Sequence, residues 1–172
     1  MRVAALAVLG VCLAADLAAQ ELTPPKSSIQ RGTRIGLFGF GVRGGFEVKK
    51  HGQLVIGSTL DVGNVISSRL RVRPSAEVGV FNGPNTYVGN FELLWRFTDD
   101  EVAATPYLGG GLGLAGREEC GTDPKCPGLW LNLVFGFELH YRSTFNWLVE
   151  YHAMDAMRRH RVYVGLTTRR GN

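Results

Sequence analysis

The chain has 172 residues, enough for one domain; a fifth of them are charged, the formal net charge is +4 and glycine is abundant at 23. The positive balance is mild and no dense Lys/Arg run occurs, so no nucleic-acid partner is expected. No stretch after the first 19 residues is apolar enough for a membrane helix, so any insertion into a bilayer must use strands.

Residues 1–19, MRVAALAVLGVCLAADLAA, have one early Arg, an apolar middle and a small-residue end. This is the pattern of a secretory signal peptide, with cleavage expected after Ala19. The apolar run is shorter than the ~20 residues a spanning helix needs. A lipoprotein reading through Cys12 lacks the small residue it requires just before the cysteine, where Val11 stands. Residues 20–32, QELTPPKSSIQRG, are polar with two prolines and read as a flexible lead-in. Residues 33–170 are left as the folded domain.

Eight strand candidates follow. The first covers about Thr33–Val48, with Phe38, Phe40 and Val42 on one face and Gly39, Gly41 and Arg43 on the other; Gly44-Gly45 is expected to mark a bulge or bend. The second, Gln53–Gly63, puts Leu54, Ile56, Leu60 and Val62 opposite Thr59 and Asp61. The third, Leu70–Phe81, alternates apolar residues with Arg71, Arg73, Ser75, Glu77 and Gly79; Pro74 is the one feature against an interior strand. The fourth, Thr86–Phe97, sets Tyr87, Phe91, Leu93, Trp95 and Phe97 against Val88, Asn90, Glu92, Leu94 and Arg96. The fifth, Thr105–Ala115, opposes Leu108, Leu112 and Leu114 to Tyr107 and Gly109, Gly111 and Gly113. The sixth, Leu129–Tyr141, has the strictest period of two: Leu129, Leu131, Leu133, Phe135, Phe137, Leu139 and Tyr141 against Trp130, Asn132, Val134, Gly136, Glu138 and His140. The seventh, Phe145–Ala153, opposes Phe145, Trp147, Val149 and Tyr151 to Asn146, Leu148, Glu150 and His152. In the eighth, Val162, Val164 and Leu166 oppose Arg161, Tyr163, Gly165 and Thr167.

Strands joined by short links form an antiparallel up-and-down meander, and eight of them close a barrel that side chains can fill. The fold expected is therefore all-β, an eight-stranded antiparallel up-and-down transmembrane β-barrel. The alternation alone does not say which face is inward, and a soluble lipocalin-like ligand-binding barrel would hold the apolar face inside. Three features favour lipid outside. The lysines, at positions 26, 49, 50 and 125, avoid every clear strand interior, and the polar face uses Arg with Glu and Asp, which suits enclosed, paired charges. Glycines make room beside long charged side chains: pairing Arg96 with Thr105 sets Glu92 opposite Gly109, and pairing Tyr141 with Phe145 sets Glu150 opposite Gly136. Finally Trp95, Phe97, Tyr141, Phe145 and Trp147 gather on the apolar face at one rim, as an interfacial aromatic girdle does.

The polar face is expected to form a lumen network of Asp61, Arg71, Arg73, Glu77, Glu92, Arg96, Glu138, Glu150, His152 and Arg161. The pairs expected are Asp61 with Arg71, Arg73 with Glu77 and Glu92, and Arg161 near His152 and Glu150. A metal site from Glu138, His140, Glu150 and His152 is not expected. His140 faces Asn146 in the hairpin register, about 20 Å along the strand from His152. Cys120 and Cys126 flank GTDPK, and an exported chain is expected to join them by a disulfide. With the termini on the periplasmic side, the outer loops are Lys49–Gly52, Asn82–Asn85, Arg117–Gly128 and Met154–His160, and their partner is not legible.

The segments FELLWRF, TPYLGGGLGLA and LNLVFGFELHY resemble the OmpA-like and OmpX-like small outer-membrane β-barrel family over roughly residues 33–168. The resemblance implies a barrel inserted by the barrel-assembly machinery among outer-membrane lipids of a Gram-negative-type cell. Two departures stand out. The chain ends Thr167-Thr168-Arg169-Arg170-Gly171-Asn172 where many members end on an aromatic, and no residues remain for a periplasmic peptidoglycan-binding domain. Lipid A deacylases of similar size use a His-x-Ser-Asn pattern; here the matching stretch is His152-Ala153-Met154-Asp155, without the serine nucleophile. A non-enzymatic barrel with a structural or surface-interaction role is expected, with no cofactor. A narrow pore past glycines 109, 111, 113 and 136 is the weaker alternative, beside a lipid A-modifying enzyme.

Overall fold

The computed structural model describes residues 33–48, 52–98, 103–118, 120, 126–141 and 144–168. The expected signal peptide, the lead-in at 20–32 and the tail at 169–172 lie outside the described residues. Eight strands follow one another: β1 (Arg34–Val48), β2 (Leu54–Asn64), β3 (Leu70–Val80), β4 (Thr86–Arg96), β5 (Ala104–Arg117), β6 (Gly128–His140), β7 (Phe145–Met154) and β8 (Arg159–Thr168). Each pairs antiparallel with the next, and β1 pairs with β8 from Gly41↔Thr167 to Val48↔His160, closing the barrel. Closure leaves no sheet edge along that seam.

The period of two sets which side chains go where. On β4, β6 and β7 exposed and buried positions alternate along nearly the whole strand. The outward residues are the apolar ones, such as Leu131, Leu133 and Phe135 on β6 and Phe91, Leu93 and Trp95 on β4. Inward positions hold the charges, and Glu92, His152 and Arg161 are fully buried. This is the reverse of a lipocalin-like barrel, whose apolar face lines a cavity.

The register departs from regularity at two places, and neither is Gly44-Gly45. The shifts fall between Ile35 and Gly39 on β1 and between Thr59 and Gly63 on β2. At the second, the Gly63 N–H donates to Asp61 Oδ1 at 3.0 Å, and Gly63 takes φ +116°, a backbone that strongly favours glycine. Pairing through Gly44 and Gly45 is continuous. Gly45 is needed instead because a Cβ there would stand 2.6 Å from the Tyr163 ring and 2.3 Å from the Val162 carbonyl. The β2 shift also accommodates Pro74: β3 pairs with β2 at Ser75 and again at Val72, and Pro74 lies between, without a ladder partner on the β2 side and opposite Phe91 on the β4 side.

The β4–β5 register differs from the sequence-based expectation by two residues. Arg96 faces Tyr107 and Glu92 faces Gly111, because the Phe97 N–H takes the Pro106 carbonyl at 3.0 Å and lengthens the connection. The β6–β7 register is the expected one, with Gly136 opposite Glu150 and His140 opposite Asn146. The link between β5 and β6 is closed by a disulfide, Cys120–Cys126, with Cα atoms 5.4 Å apart. Thiol labelling of folded, unreduced mature protein should find neither cysteine, and both after reduction; labelling before reduction would show the link open.

Candidate functional site: the ionic lumen

Strands β1 and β3 to β8 all contribute to one buried network, and Arg43 stands at its centre. Its Nη1 donates to Glu150 Oε2 and lies 3.3 Å from His152 Nε2. Its Nη2 donates to Glu77 Oε1 and, at 3.1 Å, to Ser75 Oγ. The guanidinium also lies 4.6 Å from the centre of the Tyr163 ring, within range of a cation–π contact. Arg73 binds Glu92 Oε2 through Nε (2.9 Å) and Nη2 (2.8 Å) and reaches Glu150 Oε1 at 2.5 Å. Arg161 bridges Glu47 at 2.9 Å and Glu77 at 2.7 Å, and Arg159 holds the other Glu47 oxygen at 2.7 Å.

The carboxylates are shared in turn. Glu77 also accepts from the Tyr163 hydroxyl at 2.6 Å and Glu150 from the Tyr107 hydroxyl at 2.5 Å. A polar chain continues the network, with Asn132 donating to Asn90 at 2.5 Å and Asn90 donating to Ser75 at 3.2 Å. Four arginines (43, 73, 159 and 161) thus meet four glutamates (47, 77, 92 and 150). His152 packs edge-on against Tyr163, 3.2 Å from Glu150 and 3.7 Å from Glu92. Isolated charges are too expensive to bury, and shared bidentate pairing is the form in which a protein interior tolerates them.

Apolar layers bound this core on the β4–β7 side. Leu94, Tyr107, Val134 and Leu148 pack together towards the rim that carries the termini, and Val88, Ala115 and Met154 pack with Trp130 towards the other. Near the terminal mouth Asp61 and Arg71 lie 3.4 Å apart, and Arg96 and Glu138 3.5 Å apart. A recess there of about 30 Å³, lined by Asp61, Arg71, Arg73, Glu138 and Thr167 among others, has room for about two waters.

Of the ten residues read from the sequence as the lumen network, the structure brings Arg73, Glu77, Glu92, Glu150, His152 and Arg161 into the core and leaves Asp61, Arg71, Arg96 and Glu138 as two mouth pairs. Two pairings differ. Glu77 is bound by Arg43 and Arg161 in place of Arg73, and Arg161, which lies opposite His152, goes to Glu47 and Glu77 in place of Glu150. The reason is the β1–β8 closure, which sets Glu47 opposite Arg161. Arg43, Glu47, Tyr107, Tyr163 and Arg159 were missed. Their signal was faint: Arg43 falls on the polar face of β1, the least regular strand, and Tyr107 and Tyr163 each stand beside a glycine on a polar face with no charge of their own.

Each of the glycines at 109, 111, 113 and 136 lies close against a neighbour. A Cβ at Gly109 would meet the Leu93 carbonyl at 2.2 Å and at Gly111 the Phe91 carbonyl at 2.1 Å. At Gly113 it would meet Asn90 Oδ1 at 2.3 Å, and at Gly136 the Tyr107 ring at 2.6 Å. The space is therefore taken by neighbouring strands and side chains. Gly136→Ala should destabilise the barrel by about 1–3 kcal/mol, since Tyr107 cannot move without leaving Glu150; urea unfolding would measure it.

Trp95, Phe97, Tyr141, Phe145 and Trp147 all face outward at the terminal rim, and the Tyr141 and Trp147 rings meet edge-on at 6.3 Å. A second aromatic group, Phe46, Tyr87 and Tyr151, faces outward towards the opposite rim. Among the described residues no cluster of three His, Cys, Asp or Glu side chains is placed to hold a metal ion.

No family model and no curated protein matches the sequence. Solved structures do. The N-terminal β-barrel domain of Pseudomonas aeruginosa OprF aligns over 77% of this chain and 98% of its own, with TM-score 0.58 and 11% identity. Neisserial surface protein A aligns over 76% and 94%, with TM-score 0.57 and 13% identity. A de novo designed transmembrane β-barrel aligns over 78% and 96%, with TM-score 0.53 and 14% identity. At these identities the likeness is one of fold: this chain has the eight-stranded barrel architecture of small outer-membrane proteins.

Proposed function

We propose that the protein is an outer-membrane barrel of non-enzymatic type, with a structural or surface-interaction role and a lumen sealed by its ionic core. The observation that carries the reading is the division of the sheet into an apolar outer face and a charged, filled interior. On β4 and the residue that follows it the outward side chains run from Tyr87 to Phe97, about 33 Å along the chain and about 25 Å along the axis at a tilt of about 40°. That is the height of the apolar band of a transmembrane barrel, and the aromatic groups at its two ends sit where girdles belong. Barrel-assembly machinery is the partner this fold implies during insertion, and export requires the signal peptide read at 1–19.

The filled lumen favours a plug over an open pore. His152, the residue nearest a deacylase pattern, is buried among Glu150, Glu92 and Arg43 and faces away from lipid. An acyltransfer role would need an activated nucleophile beside it. Cell fractionation with gel electrophoresis of unboiled and boiled samples tests the proposal. Partitioning with the outer membrane and a mobility shift on boiling are expected. A soluble protein without a shift would reject it.

A further inference from the structure

Among the described residues, the outward strand positions carry apolar, small or uncharged side chains, with two exceptions: Arg34, at the outermost end of β1, and His160, at the start of β8. His160 is half-buried and coupled to Tyr151. The Tyr151 hydroxyl lies 2.6 Å from His160 Nδ1, and the two rings stack with centroids 5.8 Å apart. With the hydroxyl donating to Nδ1, the imidazole proton is on Nε2, which is left as a donor. Across the ladders His160 faces Ala153 on β7 and Val48 on β1, so one side of the pair is open over a small residue. Arg158 is exposed in the turn two residues earlier, where its N–H bonds the Met154 carbonyl at 3.1 Å after three left-handed residues, Asp155, Ala156 and Met157.

The charge around this rim is uneven. By sequence, the β3–β4 link carries no charge, and Arg117, Glu118, Glu119, Asp123 and Lys125 around the β5–β6 link sum to −1. Positive charge prevails only where the β7–β8 and β1–β2 links adjoin: there Asp155, Arg158, Lys49 and Lys50 sum to +2.

We propose that Arg158 and His160, with Tyr151 positioning the imidazole, form a binding site for the phosphate of an anionic lipid in the leaflet at this rim. The occupant must be amphipathic. His160 stands at the edge of the apolar band, one outward position beyond the Phe46–Val162 pair, with Arg158 two residues before it in the turn, so a phosphate bound there has its acyl chains against those side chains. A polar donor on a lipid-facing surface is otherwise costly, and a headgroup phosphate is a partner that accepts from the His160 Nε2 proton and meets the charge of Arg158. The inference rests on the membrane reading above.

The test uses the full mature chain folded into phosphatidylcholine nanodiscs with a minor fraction of phosphatidic acid. Two readouts serve: the lipids retained on gentle extraction, counted by native mass spectrometry, and the imidazole resonances of histidine-labelled protein. Wild-type protein should retain phosphatidic acid over phosphatidylcholine, and the His160 resonance should move with phosphatidic acid alone. Arg158→Ala should lower the preference about fivefold, as expected for loss of one interfacial cation, and His160→Ala should lower it as well. Arg69→Ala, an exposed arginine at the opposite rim, should leave it unchanged. Insertion without a phosphatidic-acid preference, or an equal loss in Arg69→Ala, would overturn the site and leave the barrel reading intact. Failure to insert into discs of either composition would overturn both.

Discussion

Arg43→Met is expected to destabilise the barrel by about 3–5 kcal/mol, among the largest losses any single substitution here should produce. The guanidinium is completely buried and bonds Glu77 and Glu150 from opposite sides, with Glu92 at 3.9 Å. Methionine fills much of the same volume and leaves the carboxylates short of a cation. Arg161 still neutralises Glu77 and Arg73 still neutralises Glu150, so a folded but weakened barrel is expected. Urea unfolding of protein inserted in phosphatidylcholine vesicles, followed by tryptophan fluorescence, gives the number. Adding Glu77→Gln to Arg43→Met should recover part of the loss, and a double-mutant cycle would report the coupling. Asp61→Asn should cost much less, because Asp61 and Arg71 lie at the mouth with side chains 20 % and 10 % exposed. Equal losses at Arg43 and Asp61 would mean that the core is no more dehydrated than the mouth.

Leu133→Arg should block or strongly reduce insertion, at about 2–4 kcal/mol for a cation near the middle of a lipid-facing surface. Leu133 is at the centre of β6 and faces outward between Gly110 on β5 and Ala153 on β7, so the long side chain has no neighbouring acid to meet. Its neighbour Asn132 is fully buried and bonded to Asn90. Asn132→Ala should weaken the folded barrel in urea yet leave its yield in vesicles nearly unchanged. The contrast between adjacent residues separates a lipid-facing position from a lumen position. Normal vesicle yield for Leu133→Arg would mean that this face does not meet lipid.

The strands were legible because one face of each repeats every second residue, and β6 shows this without interruption from Leu129 to Leu139. The β6–β7 register was legible too, since Tyr141 and Phe145 leave almost no freedom in the link between them. The β4–β5 register was not, because Thr98–Ala104 is long enough to allow a slip of two residues that keeps every side chain on its own face. The core was legible as a set of residues and only partly as a set of bonds. Asp61 with Arg71 and Arg73 with Glu92 sit on neighbouring strands. Arg43 with Glu150 and Arg161 with Glu47 depend on the seam between the first strand and the last, and no local pattern specifies that register.

That seam bears on how the chain reaches its final state. The bonds from Arg43 to Glu150 and from Arg161 to Glu47 span 107 and 114 residues, so neither exists in any partial meander. Hairpins such as β6–β7 can assemble early from nearby residues, but their buried charges stay solvated until β1 meets β8. Contacts this distant in sequence are slow to form. Expulsion of water from the interior therefore belongs to the same late event as ring closure, which makes the barrel's assembly all-or-none where its strands alone would have allowed it to proceed one hairpin at a time.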